Sequence, residues 1–232
     1  MKKIVLVLVA LLFLVSLYIG FRAADQMNEH MQNPEGATGF DATSVQQNYL
    51  IVHVSETGGE SSVLVSLWGL FVNYTSPPHL AFVSLYPVPD ADAESNPLSF
   101  FRLNRDATIP DRVITKIERQ YDIETNGYIL LDNFAVASIQ AWLGQGSVKL
   151  PQQQPLSPQE VQSIITREQG SINNLCAQIS QNGFDQVLDN IRWTELLPEH
   201  FSTSLTVESW LQAVNTLTSA GNIESCEVFT SY

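Results

Sequence analysis

Residues 126–150 read NGYILLDNFAVASIQAWLGQGSVKL, and this stretch decides the fold. Tyr128–Leu131 is a short apolar run of the kind found in buried strands. The apolar segment 134–143 ends before Gly144, which predicts a helix with a glycine at its end, and 148–150 is then a short strand. Strands that alternate with helices indicate an α/β domain with helices on both faces of the sheet.

Elements of the same two kinds are predicted on either side. Upstream, three β-rich runs bounded by Gly and Pro predict strands at 49–54, 63–74 and 80–86, followed by a proline-rich loop at 87–99. Downstream, periodicity and turn residues predict helices at 110–121, 159–168, 171–181, 183–190 and 206–219, and a closing strand at 226–229.

The N-terminal segment Ile4–Phe21 has no charged residue and follows Lys2 and Lys3. Its length is close to the ~20 residues that cross a bilayer. A cleaved signal peptide is the alternative, but cleavage after Ala24 would put Arg22 at a position that requires a small residue. We therefore predict an uncleaved anchor with the lysines in the cytoplasm and a single-pass protein of the cell membrane.

The predicted domains are a cytoplasmic stub and transmembrane helix at 1–24, a polar linker at 25–47, and an extracytoplasmic domain at 48–232. Acidic residues outnumber basic ones 24 to 11, which gives a net charge of −13 and argues against nucleic acid as a partner. The sequence contains no nucleophile elbow, phosphate-binding loop, dinucleotide-binding glycine motif or zinc-protease motif, so it predicts no catalytic residue.

The two cysteines, Cys176 and Cys226, both lie in the predicted exported domain, where thiols can oxidise. They form no CxxC motif and no histidine stands at a metal-ligand spacing from them, so no metal site is predicted. The sequence is compatible with a disulfide between the two cysteines and with two buried, reduced thiols. The four histidines have no common spacing and are interpreted as surface or hydrogen-bonded core residues.

The order of these elements resembles the LytR-CpsA-Psr family. The resemblance rests on the 126–150 block, on the strands at 48–54 and 63–67, and on the closing stretch from Leu196 to Ile223. It covers roughly residues 48 to 229. It implies a mixed central sheet, and an extracytoplasmic phosphotransferase that moves a glycopolymer from a polyprenyl-pyrophosphate carrier to the cell wall. In the family, Arg side chains and an Asp-bound divalent metal such as Mg²⁺ or Mn²⁺ stabilise the phosphates.

The residues that this chemistry needs are missing at the matching positions. Ser55-Glu56-Thr57 follows the first strand, Glu60-Ser61-Ser62 opens the second, and the segment after the third has Asp90 but no Arg. Residues 23–101 contain nine acids and neither Lys nor Arg. The loops after the strands, with Glu56, Glu60, Asp90, Asp92 and Glu94, therefore predict a neutral to acidic pocket. No cofactor is predicted, although such carboxylates could bind a divalent metal, which is the one route by which a phosphate could be recruited.

Three arginines are candidates for ligand binding. Arg167 matches a cationic position of the family, although a salt-bridged surface residue is the alternative interpretation. Arg102 and Arg105 belong to a basic cluster with Arg112, Lys116 and Arg119, which could bind an anion. The alternative interpretation is a solvated helix face, because residues 112, 116 and 119 lie at helical spacing opposite the apolar positions.

Two functional hypotheses follow. The first is a membrane-anchored envelope domain that kept the fold, lost the transferase chemistry, and binds a polyprenyl lipid or an envelope protein. The second is an active phosphotransferase with a divergent set of cations, which alone would require Mg²⁺ or Mn²⁺.

Overall fold

The computed structural model describes residues 46–57, 62–87, 97–144, 158–219 and 223–230. Within these ranges six strands form one sheet: β1 (Gln46–Val54), β2 (Leu64–Asn73), β3 (His79–Tyr86), β4 (Gly127–Asp132), β5 (Phe201–Thr203) and β6 (Ser225–Thr230). The helices are α1 (Asp111–Tyr121), α2 (Asn133–Trp142), α3 (Pro158–Asn182), α4 (Phe184–Asp189), α5 (Trp193–Leu196) and α6 (Val207–Ser219), with a 3₁₀ turn at Pro97–Ser99.

The sheet is mixed, as the family resemblance implied. Its strand order is β5-β4-β1-β2-β3-β6. β2 is antiparallel to both of its neighbours, β1 and β3. β1 runs parallel to β4, and β3 parallel to β6, whereas β4 and β5 are antiparallel. Val54 pairs with Asp132, so β1 and β4 end together at one edge of the sheet. Loops that leave parallel strands at a common edge are the usual place for a ligand site in such sheets.

Helices cover both faces of the sheet. Alternate residues of a strand point to opposite faces, and Leu50 and Val52 of β1 pack with Val113 and Ile117 of α1 in one core cluster. Tyr49 belongs instead to a second cluster, with residues of α3, α4 and α6. The predicted arrangement of helices on two faces is therefore confirmed.

Several sequence predictions differ from the structure. The two helices predicted at 159–168 and 171–181 are one continuous helix, α3. Gly170 lies in its interior, where a glycine is tolerated because buried residues before it, such as Ile164, and after it, such as Ile179, hold the helix against the core. Helix α5 and strand β5 were not predicted, and β1 begins at Gln46, inside the predicted linker.

Other predictions fall outside the described residues. They include the strand at 148–150, most of the loop at 87–99, and the N-terminal anchor at 4–21. Among the helices that the structure describes, none combines the length and the apolar character that a membrane span requires.

A disulfide connects α3 to the edge strand β6. Cys176 and Cys226 are joined, and their Cα atoms lie 5.3 Å apart, which leaves neither of the two thiols free. The bridge closes a loop with a sequence separation of 50 residues. In the chain-entropy description such a bridge stabilises the folded chain by roughly 4 kcal/mol.

Candidate functional site

A cavity of about 270 Å³ lies between the second face of the sheet and helices α2, α3 and α4. Its walls are almost entirely apolar. Ile51 and Leu70 line it from the sheet, and Ile139, Ile172 and Leu175 line it from α2 and α3. Cavities with such walls suit an apolar ligand, because polar groups would lose their hydrogen bonds there.

Three aromatic rings form part of the wall. Trp193, Phe201 and Trp210 all line the cavity. Trp193 packs edge-on against Phe201 and Trp210, with ring centroids 5.6 and 6.0 Å away. Such edge-to-face contacts hold the rings in defined orientations. The short elements α5 and β5 carry two of these rings, so the elements that the sequence did not reveal build one side of the cavity.

A buried polar network also borders the cavity. His53, near the end of β1, places Nδ1 2.8 Å from Glu168 Oε1 and Nε2 2.9 Å from Asn133 Oδ1. Trp68 donates its indole N–H to the other carboxylate oxygen of Glu168, at 2.8 Å. His53 is 3% exposed and Glu168 6%, so the network lies in the interior. It joins β1, β2, α2 and α3 through side chains.

The partners of Glu168 determine its ionisation. Burial alone would raise the pKa of the carboxyl group, but the hydrogen bond and charge of His53, with the hydrogen bond of Trp68, outweigh it and lower the pKa. The carboxylate is therefore ionised at neutral pH. A buried charge of this kind is tolerated only while its hydrogen-bond donors stay in place.

A second histidine–carboxylate pair lies where β4 ends. Asp132 accepts a hydrogen bond from Ala135 N–H at the start of α2, and its Oδ2 lies 2.7 Å from Nδ1 of His200. Phe134 packs against the His200 ring at a centroid distance of 4.2 Å. The pair is thus an N-terminal helix cap that also holds His200 in place.

Arg167 is next to Glu168 on α3, and its side chain is 13% exposed. Nη2 lies 3.9 Å from Glu168 Oε1, which is too far for a hydrogen bond. Nε and Nη2 are buried and make no hydrogen bond with any residue that the structure describes. Burial lowers the pKa of Arg167, and the charge of Glu168 partly offsets this effect. An arginine remains charged in proteins, so these nitrogens are cationic donors that have no acceptor among the described residues.

Gln140 is a further buried polar group on the cavity wall. Its Nε2 donates to Ser171 Oγ at 2.7 Å, and the Ser171 hydroxyl in turn donates to the Arg167 carbonyl at 3.0 Å. The chain of donors fixes the orientation of the amide. Its Oε1 is buried and has no hydrogen-bond partner among the described residues.

The other predicted cations lie elsewhere. Arg102 and Arg105 are exposed, in a segment whose Phe101 and Leu103 pack into the cluster on the opposite face of the sheet, and neither lines the cavity. The structure therefore does not bring these two arginines together with Arg167. Lys116 extends over the Phe100 ring, 4.0 Å from its centroid. Of the five acids predicted to form an acidic pocket, only Glu56 is described, and it is exposed.

The described residues do not fit a divalent metal. Within the described ranges, no group of three or more His, Cys, Asp or Glu side chains is placed to hold a metal ion. Glu168 and Asp132 are each engaged with a histidine and with an N–H donor. Each of these oxygens already accepts a hydrogen bond, whereas Mg²⁺ requires oxygen ligands in near-octahedral geometry at about 2.0–2.1 Å.

Comparisons with known proteins identify the fold. No protein-family profile and no curated protein matches the sequence. Among solved structures, TagT bound to LIIa-WTA is 12% identical over 82% of this chain and 80% of its own, with a TM-score of 0.52. The transcriptional regulator yvhJ of Bacillus subtilis is 13% identical over 81% and 82%, with a TM-score of 0.49. B. subtilis TagV is 12% identical over 80% and 85%, with a TM-score of 0.47. The likeness to TagT shows a fold of the LytR-CpsA-Psr type.

Proposed function

We propose that this protein is a membrane-anchored domain of the cell envelope that binds the apolar chain of a lipid and has no phosphotransferase activity. The apolar cavity between the sheet and α3 is the observation that carries the proposal. TagT, which shares the fold, was solved bound to LIIa-WTA, and this supports a role in the envelope. The uncharged segment at 4–21 supports an anchor in the same membrane that would supply the lipid.

The charges near the cavity argue against transfer of a glycopolymer. A pyrophosphate carries several negative charges and needs several cations or a metal. Arg167 is the only arginine or lysine that the described structure places beside the buried network, and Glu168 is its neighbour. A carboxylate about 4 Å from a phosphate oxygen opposes binding by about 4 kcal/mol at an effective dielectric of 20.

Bound lipid tests the proposal directly. The full chain is purified from membranes, extracted with organic solvent, and the extract is identified by mass spectrometry. We expect a lipid with a long apolar chain, bound near one per protein. Ile139→Trp fills the cavity and should remove most of this lipid, whereas Val207→Trp, at a side chain that is 77% exposed, should not. Equal lipid content in the two variants, or none in the parent protein, contradicts the proposal.

Activity is tested separately. The protein is incubated with a glycan linked to a polyprenyl pyrophosphate, in the presence of Mg²⁺ or Mn²⁺, and release of the glycan is measured against a reaction without protein. We expect no release. Turnover that disappears in Arg167→Ala would establish the second hypothesis, an active phosphotransferase, in place of the first.

A further inference from the structure

Helix α6 has an apolar stripe on its outer side. Val207, Leu211 and Val214 follow one another at intervals of four and three residues, so their side chains share one face of the helix. Val207 is 77% exposed and Leu211 53%, and Val214 is partly buried. Thr218 continues the stripe, and its hydroxyl already donates to the Val214 carbonyl at 3.0 Å. The stripe is unusual, because the outer side of a helix in a globular domain is normally polar.

The same helix is nearly uncharged. Glu208 is the one charged residue between Val207 and Ser219. At 100° per residue, Trp210 and Leu217 lie between the core side of α6 and the outer stripe. Both of these side chains line the apolar cavity. The apolar surface of α6 therefore continues from the cavity wall to the outside of the domain.

Both ends of α6 lie at the edge of the sheet where β1 begins. A row of paired residues marks this edge across β1, β2, β3 and β6: Gln46, Asn73, His79 and Ser225. At the start of β4, which runs parallel to β1, Tyr128 N–H donates to Ser204 Oγ at 2.9 Å, three residues before α6 begins. The 13 residues of α6 extend about 20 Å, close to the roughly 19 Å between β4 and β6. The helix therefore crosses the sheet along this edge.

The preceding chain enters the domain at the same edge. Residues 22–45 separate the uncharged segment, which ends at Phe21, from Gln46 at the start of β1. A coiled linker of this length has a root-mean-square span of about 25–30 Å. If segment 4–21 crosses a membrane, this tether keeps α6 close to the bilayer and raises the effective concentration of the membrane surface.

A bilayer fits this stripe better than a second copy of the chain. A stable contact between two proteins buries about 800 Å² on each partner, and the two exposed side chains Val207 and Leu211 supply far less. Binding of an amphipathic helix to a bilayer increases with each apolar side chain that it buries, so a small stripe is sufficient when a tether assists. Because α6 has no Lys or Arg and the chain has a net charge of −13, anionic headgroups would not attract this surface.

We propose that α6 docks on the surface of the membrane, with Val207 and Leu211 inserted between the lipid headgroups and the acyl chains. This inference rests on the membrane anchor of the proposed function and adds the face that the domain turns toward the bilayer. The docked helix would bring the cavity wall at Trp210 and Leu217 next to the membrane that supplies the lipid. Docking is driven by apolar contact and requires no anionic lipid.

Spin labels identify the face of the domain that contacts the membrane. The full-length protein carries one labelled site, Leu211→Cys, Gln212→Cys or Lys116→Cys, while the native cysteines stay in their disulfide. Each protein is reconstituted in phosphatidylcholine vesicles, with and without phosphatidylglycerol, and the vesicles are washed with carbonate. Electron paramagnetic resonance then measures how often the label collides with oxygen, which concentrates in the bilayer, and with a water-soluble nickel complex.

We expect the label at position 211 to collide mainly with oxygen in both lipid mixtures. The label at position 212 points about 100° away around α6, and the label at position 116 is on α1, so both should collide mainly with nickel.

Substitutions at position 207 test the apolar contact. Val207→Asp should lower the ratio of docked to undocked protein about tenfold or more, which is the range for one Val side chain that is returned to water. Gln212→Asp adds the same charge on the polar side of α6 and is the matched control, so it should leave the ratio unchanged. Val207→Trp keeps an apolar side chain of a type that is enriched at membrane interfaces and should retain docking.

Each contrary outcome has a separate meaning. A label at position 211 that stays in water overturns the docking of α6, while the lipid extraction still decides the function of the cavity. Contact of the label at position 116 with the bilayer would show that the domain docks through α1 and its basic cluster instead. Equal effects of Val207→Asp and Gln212→Asp would show that added charge, and not the lost apolar contact, releases the helix. Loss of the protein from the vesicles in the carbonate wash overturns the anchor and the docking together.

Discussion

Replacement of Glu168 by leucine tests the buried network, because this carboxylate is the point where its donors meet. The variant leaves His53 Nδ1 and Trp68 Nε1 without their acceptor, and both hydrogen bonds are 2.8 Å long in a site that is 6% exposed. Removal of one partner from a buried ion pair costs about 3–5 kcal/mol. We therefore expect Glu168→Leu to lose about 4 kcal/mol of unfolding free energy.

Equilibrium unfolding in urea, followed by tryptophan fluorescence with the disulfide intact, measures this loss. With a denaturant slope of about 2 kcal/mol per molar, the midpoint should fall by about 2 M. His53→Leu should also destabilise, and the double variant should cost about 1–3 kcal/mol less than the sum of the two single changes, because it removes both members of the pair.

Two results would refute this reasoning. If Glu168→Leu lowers the unfolding free energy by less than about 1 kcal/mol, water or another group accepts the hydrogen bonds of His53 and Trp68 in place of the carboxylate. Strict additivity of the two single changes would mean that His53 and Glu168 do not interact in the folded protein, even though the 2.8 Å contact predicts that they do.

Three further predictions concern the rest of the chain. Replacement of Cys176 and Cys226 by alanine should lower the unfolding free energy by about 4 kcal/mol, measured by the same urea titration. Burial raises the pKa of Tyr121 to about 12, so the stability that this phenol contributes is complete below pH 10 and is lost as pH rises toward 12. Tyr121→Phe should therefore reduce the fall of Tm with pH between pH 10 and 12, measured by thermal unfolding. If segment 4–21 is an uncleaved anchor, the protein keeps Met1 and stays in the membrane fraction after a carbonate wash; an N-terminus near residue 25 would contradict this.

The sequence predicts elements whose side chains repeat with a clear period. Strands β1 to β4 lie within a few residues of their predicted positions because each is an apolar run bounded by turn residues. Helix α1 does so because its apolar residues are at helical spacing, and α2 because Gly144 follows its end. The four residues of α5 and the three of β5 are too short to show any period, and tertiary contacts alone define them. Gly170 causes the opposite error: a glycine is typical of a helix end, so two helices were predicted where α3 is continuous.

The site was harder to predict because its residues are distant in sequence. His53 and Glu168 are separated by 115 residues, and Asp132 and His200 by 68, so only the folded sheet brings each pair together. One local signal was present. Glu168 follows Ile164 by four residues and precedes Ile172 by four, which places an acid within the buried stripe of a helix. An ionisable residue at such a position indicates a buried partner.

Arg167 and Glu168 are neighbours on one helix, and their different surroundings explain how a cation lies beside an acid without a hydrogen bond between them. Successive residues on an α-helix point in directions about 100° apart, so the two side chains leave α3 toward different partners. Glu168 turns toward His53 and Trp68, which occupy both of its oxygens. Were those donors absent, the carboxylate would be free to close the 3.9 Å gap to the Arg167 guanidinium. The buried network therefore keeps Glu168 from forming a hydrogen bond with Arg167, and the stability of the core and the separation of these two charges depend on the same two hydrogen bonds.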